Sequence, residues 1–338
     1  MKKVLLVTGG AGYIGSHVVK QLLKEDVYKV VVVDNLSTGF LKTIETLKNI
    51  KDFSFFKEDL KNTLQIEEII KANKVSGVLH FAGSLIVPES ISDPLKYYFN
   101  NVSNSISLIT LCQKYSVSKF IFSSTAAVYG DVKEQNMPVT EELKTNPITP
   151  YGTSKLMVEQ ILSSIDRINN NFNFVSLRYF NVAGSDPEGL IGQSTLNSTH
   201  LLKVAAMSAT NQQQSMNIFG NDYPTKDKTC IRDFIHVSDL ADAHIKSLDF
   251  LDKNKSSIFN CGYGKGYSVL EIVNAMKKVS GVDFGVKFSD RRKGDIVSMV
   301  SDNSKIKKDI SWIPKYEDIN FICKTTLDWE KVLIKDSK

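Results

Sequence analysis

The stretch Thr8-Gly9-Gly10-Ala11-Gly12-Tyr13-Ile14-Gly15-Ser16 constrains the fold more than any other part of the chain. It follows a short apolar run, Lys3–Thr8, that reads as a strand, and it opens a helical pattern from about Ile14 to Glu25. Two glycine registers fit, Gly10-x-Gly12-x-x-Gly15 and Gly9-x-x-Gly12-x-x-Gly15. Glycines at this junction allow a tight turn and bring backbone close to a pyrophosphate. The helix start then supplies unpaired N–H groups and a positive dipole end. Asp34 ends the next predicted strand, 19 residues past Gly15. A carboxylate there bonds the adenosine ribose hydroxyls. Its charge repels a 2′-phosphate, so the expected dinucleotide is NAD rather than NADP.

The rest of the first half repeats the alternation. Strands are predicted over Val30–Asp34, Phe53–Lys57, Gly77–Phe81, Phe120–Ser123 and Phe174–Leu177. Helical patterns fall over Ile66–Ala72, Pro94–Lys114 and from Pro150-Tyr151 onward. Strand–helix alternation of this kind gives an α/β fold, a Rossmann-like doubly wound parallel sheet. After Asn181 the pattern loosens. Asp186–Thr199 and Asn221–Thr229 read as loop, and Leu201–Ala209 and Val269–Val279 as helices. The expected organisation is a dinucleotide-binding domain over 1–180 and a smaller C-terminal substrate-binding lobe over 181–338, interleaved so that part of the chain returns to the sheet.

Tyr151 and Lys155 lie four apart on a predicted helix and so share a face. An ammonium beside a phenol stabilises the phenolate, which makes Tyr151 a general base near neutral pH. Spacing alone is weak. With 12 tyrosines in so lysine-rich a chain of 338 residues, chance gives about one such pair. Tyr115…Lys119 is a second, placed where a helix gives way to a strand, and it is assigned to a surface turn. Context favours Tyr151. The strand Phe120–Ser123 runs into Ser124-Thr125-Ala126 at the sheet edge where such folds bind ligands. A hydroxyl at Thr125 there bridges substrate and Tyr151.

Bulk properties narrow the class. Net charge is +5 with no block of five like charges, which fits a solvated surface and not a nucleic-acid partner. Cys112, Cys230, Cys261 and Cys323 are scattered, as expected of free thiols in a reducing compartment. No apolar run approaches a membrane span, and the opening apolar run stops too early for a signal core. A soluble, cytoplasmic protein is expected. The histidines His17, His80, His200, His236 and His244 lack metal-ligand spacing, so no metal is expected; His17 and His244 read as packing residues. Only five of the 42 basic residues are arginine: Arg167, Arg178, Arg232, Arg291 and Arg292. Arginine is expected where its planar fork matters.

Several longer stretches carry a family resemblance: TGGAGYIGSH (8–17), HFAG (80–83), FIFSSTAAVYGD (120–131), PYGTSKLMVEQ (150–160), LRYFNVAG (177–184), IFGNDYPT (218–225), IRDFIHVSDLADAH (231–244) and RRKGD (291–295). Over about residues 3 to 330 the chain resembles the extended short-chain dehydrogenase/reductases, and within them the UDP-glucose 4-epimerases. The resemblance implies a homodimeric NAD enzyme acting on a UDP-hexose. It places Gly9, Gly12, Tyr13, Ile14 and Gly15 at the pyrophosphate and Asp34, Asn35, Ser37 and Thr38 around the adenosine. Asp59 and Leu60 flank the adenine, while Phe81, Ala82, Gly83 and Asn100 line the cofactor channel. Tyr151 and Lys155 match the base and its partner, and Thr125 the family's Ser or Thr. Tyr179 and Phe180 fall near the nicotinamide. Asn181, His200, Leu201, Asn217, Phe219, Arg232, Arg292, Asp295 and Met299 fall at nucleotide-sugar positions, with Arg232 and Arg292 as a diphosphate clamp. Helices around 94–114 and 151–167 are expected either to form a dimer face or to turn their apolar sides into the core.

Three departures from the family pattern stand out. Leu85 replaces a lysine near the cofactor, which predicts weaker NAD retention. Phe234 replaces a tyrosine on the uracil side. Met299 replaces a bulky tyrosine beside the sugar, which predicts that UDP-GlcNAc and UDP-GalNAc are accepted as well. Two rival readings are a nucleotide-sugar 4,6-dehydratase and a non-catalytic NAD-sensing regulator. The first needs an acid and a base directly after the hydroxyl residue, where this chain has Ala126-Ala127. The second commonly lacks the Tyr–Lys pair.

Overall fold

In a computed structural model, residues 2–169, 171–195, 198–292 and 294–336 are described. Lys293 of the RRKGD stretch, and Leu196 and Asn197 of the predicted loop, lie outside them. Seven parallel strands form one sheet in the order β10-β6-β5-β4-β1-β2-β3. They are β1 (Val4–Thr8), β2 (Lys29–Asp34), β3 (Ser54–Lys57), β4 (Val75–His80), β5 (Lys119–Thr125), β6 (Asn173–Tyr179) and β10 (Ser257–Cys261). The expected doubly wound α/β sheet is therefore present. Strand order reverses between β1 and β4, the switch point where such sheets bind ligands. The edge strand β10 comes from late in the chain and pairs in parallel with β6.

The strands alternate between two cores. Leu5, Val7, Val30 and Val32 face one core with α1 (Tyr13–Glu25) and α9 (Val237–Phe250). Leu6, Val31 and Val33 face the other, with α3 (Thr63–Asn73), α6 (Asn104–Lys114) and α7 (Pro150–Asp166). Continuous apolar strands follow from burial on both faces.

In the first half of the chain two helices escaped the sequence reading, α2 (Leu41–Lys48) and α4 (Val87–Ser92). Each is at most eight residues long, too short for periodicity to declare itself. The helix expected over Pro94–Lys114 is interrupted. A four-residue α5 (Pro94–Tyr97) leads into a π-helical turn, Tyr98–Ser103, before α6. Such turns are often found at functional sites.

Beyond β6 the chain builds two small sheets. One joins β7 (Asn181–Ala183), β9 (Ile231–His236), β11 (Gly266–Ser268) and β13 (Ser298–Met299). The other pairs β8 (Ser215–Phe219) with β12 (Gly285–Ser289). The helices α8 (Leu201–Ala209), α10 (Val269–Ser280) and α12 (Ile319–Asp336) pack together behind them. Among the described residues no helix is long and apolar enough to cross a membrane.

Candidate active site

The glycine turn sits at the switch point. Gly9 has φ +73°, a left-handed conformation, and an added Cβ would lie 2.6 Å from Ala82 N. The turn therefore closes directly on the HFAG loop after β4. Gly12 is the N-cap of α1 and makes no side-chain hydrogen bond, so no side chain occupies the start of that helix, the group best suited to a diphosphate. Asp34 is buried at the end of β2, and burial raises its pKa. Its Oδ2 accepts from Ala11 N at 2.9 Å and its Oδ1 from Leu36 N at 2.8 Å. The carboxylate thus shapes the turn while keeping lone pairs for ribose. Asn35, Ser37 and Thr38 form an exposed shelf beside it. Asn35 Nδ2 donates to Asp59 Oδ2 at 2.9 Å, and Leu60 is buried behind. Tyr13 is half-buried and donates its hydroxyl to Gly184 O at 2.5 Å, tying the loop to the chain after β7; Ile14 packs against the core. These residues fit a bound dinucleotide: an uncapped helix start, a turn with no room for Cβ, and a carboxylate at its far end.

On the opposite side α7 delivers the candidate base. Pro150 occupies its first turn, and Thr149 Oγ1 caps it by accepting from Gly152 N at 3.2 Å. Gly152 permits a close approach, since a Cβ there would stand 2.6 Å from Ala127 O. The helix start is thereby pressed onto the end of β5, where Thr125 lies. Burial raises the Tyr151 pKa, and the nearby Thr125 hydroxyl works the other way without cancelling it. Lys155 is buried and its pKa falls to about 8 for that reason. Its ammonium donates to Ser123 O at 2.8 Å and lies 5.0 Å from the Phe122 ring centre. The expected depression of the Tyr151 pKa by Lys155 is therefore corrected: the ammonium is committed to a backbone carbonyl, and desolvation governs both groups.

The HFAG loop completes this wall. A Cβ on Gly83 would lie 3.6 Å from Lys155 Nζ and 3.0 Å from Asn101 Oδ1. Asn101, in the π-helical turn, accepts from Ser84 N at 2.7 Å and donates to Ser84 O and Ser154 Oγ, both at 3.0 Å. The predicted Asn100 instead donates to Ser84 Oγ at 2.9 Å. Leu85 is half exposed just beyond. Phe81 packs 4.8 Å from the His244 ring, and His244 is bonded to the Tyr179 hydroxyl. His244 is thus more than packing: with Leu240 O taken up by Nδ1 at 2.8 Å, Nε2 is left to accept from Tyr179. His80 is held between Thr8 Oγ1 at 2.7 Å and Ser105 Oγ at 2.8 Å. Burial, aided by the charge of Lys155, lowers its pKa to about 3.

The C-terminal half supplies a second cluster. Arg292 bonds Asp295 at 2.9 Å and lies 4.9 Å from the Phe219 ring centre. Asn217 is exposed two residues before Phe219 on β8, on the same side of that strand. Arg232 on β9 pairs in register with Met299 on β13, and Asn181 pairs with Phe234, which is buried. Met299 is 5% exposed and packs with Ala126 and Phe180, beside Thr125. His200 stands at the start of α8 without a side-chain capping bond, and Leu201 packs on the core. Among the described residues no hydrogen bond or ring contact joins these two to the arginine cluster.

One further sequence expectation needs correction. Tyr115 and Lys119 are not a surface turn: Lys119 is buried at the start of β5 and donates to Leu248 O at 2.9 Å, while Tyr115 bonds Glu67 at 2.6 Å. Arg178 is buried too, and its fork grips a carboxylate, in keeping with the expectation for the scarce arginines. It bonds Glu159 through Nε at 3.1 Å and Nη2 at 2.7 Å. Sequence reasoning missed Asn101, Glu159 and Tyr97. Tyr97 is buried, edge-on to Tyr151 at 6.4 Å between ring centres. Glu159 had a signal, since a carboxylate one turn beyond Lys155 shares its inward face.

Comparison with known proteins points the same way. The family profile described as the NAD dependent epimerase/dehydratase family matches residues 5–262. A UDP-glucose 4-epimerase of Azospirillum brasilense is 43% identical over 330 residues, 97% of this chain and 92% of that protein. The structure of a UDP-Glc/GlcNAc 4-epimerase from Campylobacter jejuni is 48% identical, with TM-score 0.86 over 98% of this chain and 99% of that one. A UDP-glucose 4-epimerase from Bifidobacterium longum, solved with NAD+ and UDP, is 36% identical, with TM-score 0.93 over 98% of both chains.

Proposed function

The chain belongs to the NAD dependent epimerase/dehydratase family, and from that premise we propose that it interconverts UDP-glucose and UDP-galactose by NAD-dependent epimerisation at C4. The observation that carries this reading is the convergence of Thr125, Tyr151 and Lys155 opposite the glycine turn at the sheet's switch point. Ala126 and Ala127 follow Thr125, so the acid and base of a dehydratase have no residues to serve them. The Tyr–Lys pair likewise argues against a purely sensing role.

Each group has a task in this reaction. The N–H groups that open α1, with Gly9, Gly12 and Gly15, hold the cofactor diphosphate, and Asp34 selects the unphosphorylated ribose. Bound NAD supplies the oxidising power, taking hydride from sugar C4 and returning it to the other face. Tyr151 removes the proton of the 4-hydroxyl, directly or through Thr125, and restores it after the 4-keto sugar has turned. Lys155 holds its charge near that phenol while fixed to Ser123 O. Arg232 and Arg292 grip the UDP diphosphate, so the ketone turns without leaving. The binding parts fall on either side of about residue 180: the dinucleotide on the large sheet, the nucleotide sugar on the lobe formed largely by 181–338.

Met299 extends the substrate range. Its flexible side chain leaves more room beside Phe180 than a tyrosine ring, so UDP-GlcNAc and UDP-GalNAc enter as well. The reading also includes a cytoplasmic location and a homodimer. Its dimer face carries the exposed Leu95, Phe99, Ile106 and Met157 of α5, the π-helical turn, α6 and α7, an apolar set larger than isolated surface positions require.

The test is conversion of UDP-galactose to UDP-glucose by purified protein without added reductant. The reading predicts turnover with no net change in NADH. Stoichiometric NADH consumption, or no conversion of any UDP-hexose, overturns it.

A further inference from the structure

We infer that Glu159, acting through Ser124, is a positioning residue that sets where Thr125 and the Ser123 carbonyl stand against Tyr151 and Lys155. The inference rests on the epimerase reading above. Residues 151, 155 and 159 succeed one another at one-turn intervals along the inner face of α7. Each meets one of three consecutive residues at the end of β5. Lys155 Nζ donates to Ser123 O at 2.8 Å. Ser124 Oγ donates to Glu159 Oε1. The Thr125 hydroxyl stands near enough to the Tyr151 phenol to oppose the rise that burial imposes on its pKa. The outer two ties hold groups that touch the reacting atoms. The middle one touches none, and it is the tie that fixes helix against strand between them.

The middle tie is costly to build. Glu159 is 2% exposed and Arg178 4%, and a buried ion pair is frequently no more stable than apolar side chains of the same volume. Here the pair is fully supported. Arg178 lies on β6 directly beside Ser124 in the sheet register, so both side chains reach Glu159 from adjacent strands. The guanidinium holds the carboxylate with two bonds, which leaves Oε1 aimed at Ser124 as well. Arg178 also donates to the Tyr129 hydroxyl at 2.9 Å and stacks 4.8 Å from its ring centre. Tyr129 donates in turn to Asn260 Oδ1 at 2.7 Å, which anchors the network on β10. The carboxylate is thereby held rigid from three strands, and its one bond toward the active site goes to the residue between the two working ones. An apolar core there would fill the space but would not fix the strand end to a fraction of an ångström. Misplacement of reacting groups by about 1 Å costs on the order of a hundredfold in rate.

Ser124→Ala removes the tie and leaves the Glu159–Arg178 pair intact. We expect kcat for UDP-galactose to fall at least tenfold, with KM within twofold of wild type and unchanged NAD content. Glu159→Ala and Glu159→Gln both leave Arg178 without its ionic partner, but only Gln keeps an acceptor for Ser124. Glu159→Gln is therefore expected to recover most of the kcat that Glu159→Ala loses. A Ser124→Ala enzyme with kcat within twofold of wild type overturns the inference. So does equal kcat in the two Glu159 variants. If the Glu159 variants do not fold, Ser124→Ala decides alone; if Ser124→Ala does not fold, Ser124→Cys is held to the same threshold. Wild-type turnover in the same assay reports on the epimerase reading, and the variant-to-wild-type ratio reports on this one.

Discussion

Gly9→Ala separates a turn that is merely glycine-rich from one that requires glycine. Two costs add. The residue has φ +73°, where an L side chain costs about 1–2 kcal/mol. The new Cβ would also lie 2.6 Å from Ala82 N and 2.9 Å from Phe81 C, whereas ordinary contact begins at 3.4 Å. Both obstacles are backbone, so no rotamer change relieves them, and the end of β1 must move about 0.8 Å from the loop after β4, an overpacking strain of about 1–3 kcal/mol. The total is about 2–5 kcal/mol, or roughly a 3–7 °C fall in Tm for a chain of this size. Displacement also reaches function, because that loop carries Gly83 beside Lys155 Nζ. NAD affinity is expected to drop about tenfold or more, equivalent to about 1.4 kcal/mol. The assay is thermal unfolding with and without NAD, together with NAD titration by quenching of protein fluorescence. Gly281→Ala is the control: φ is +69° there, but nothing lies within 4 Å of the added Cβ, so it should lose about 1 kcal/mol and keep its NAD affinity. If Gly9→Ala melts with Gly281→Ala and binds NAD like wild type, the steric argument is refuted.

Three further outcomes follow from the site. Tyr151→Phe should bind NAD and UDP but lose about 10²–10⁴ in kcat, the usual weight of a general base; unchanged steady-state turnover would move the base elsewhere. Burial lowers Lys155 from 10.5 to about 8, so between those values the unfolded chain binds more protons and wild-type stability rises with pH. Lys155→Met, with no charge to bury, should therefore unfold at higher temperature than wild type near neutral pH, by on the order of 3 kcal/mol. Calorimetry should show that margin shrinking as pH climbs above 8, and a constant margin would contradict the desolvation argument. Met299→Tyr should slow UDP-GlcNAc at least tenfold relative to UDP-glucose in parallel kcat/KM measurements; equal slowing of both sugars would remove Met299 from substrate selection.

The sheet and its switch point were legible because buried parallel strands read as apolar runs and the glycine turn has few alternatives. Tyr151 and Lys155 were legible as a pair only with Thr125 beside them. Electrostatics was misread, since spacing gives the proximity of an ammonium and a phenol but not their desolvation, nor the carbonyl of Ser123 that engages Lys155. Lys119 was misplaced for a related reason. A charged residue reads as surface until its partners are known, and those partners, Leu248 and Asp252, lie 129 and 133 positions away in sequence. The Asn101 network was missed because the π-helical turn brings Asn101 as well as Asn100 onto the loop after β4. No regular period registers that arrangement.

The central claim is that the hydrogen removed from C4 goes back to C4 of the same sugar. UDP-galactose carrying deuterium at C4, incubated with the protein in ordinary water and read by mass spectrometry and NMR, tests it directly. Full retention of deuterium at C4 of the UDP-glucose formed is the predicted result. Loss of the label to solvent, or its appearance in free NADH, would contradict the account.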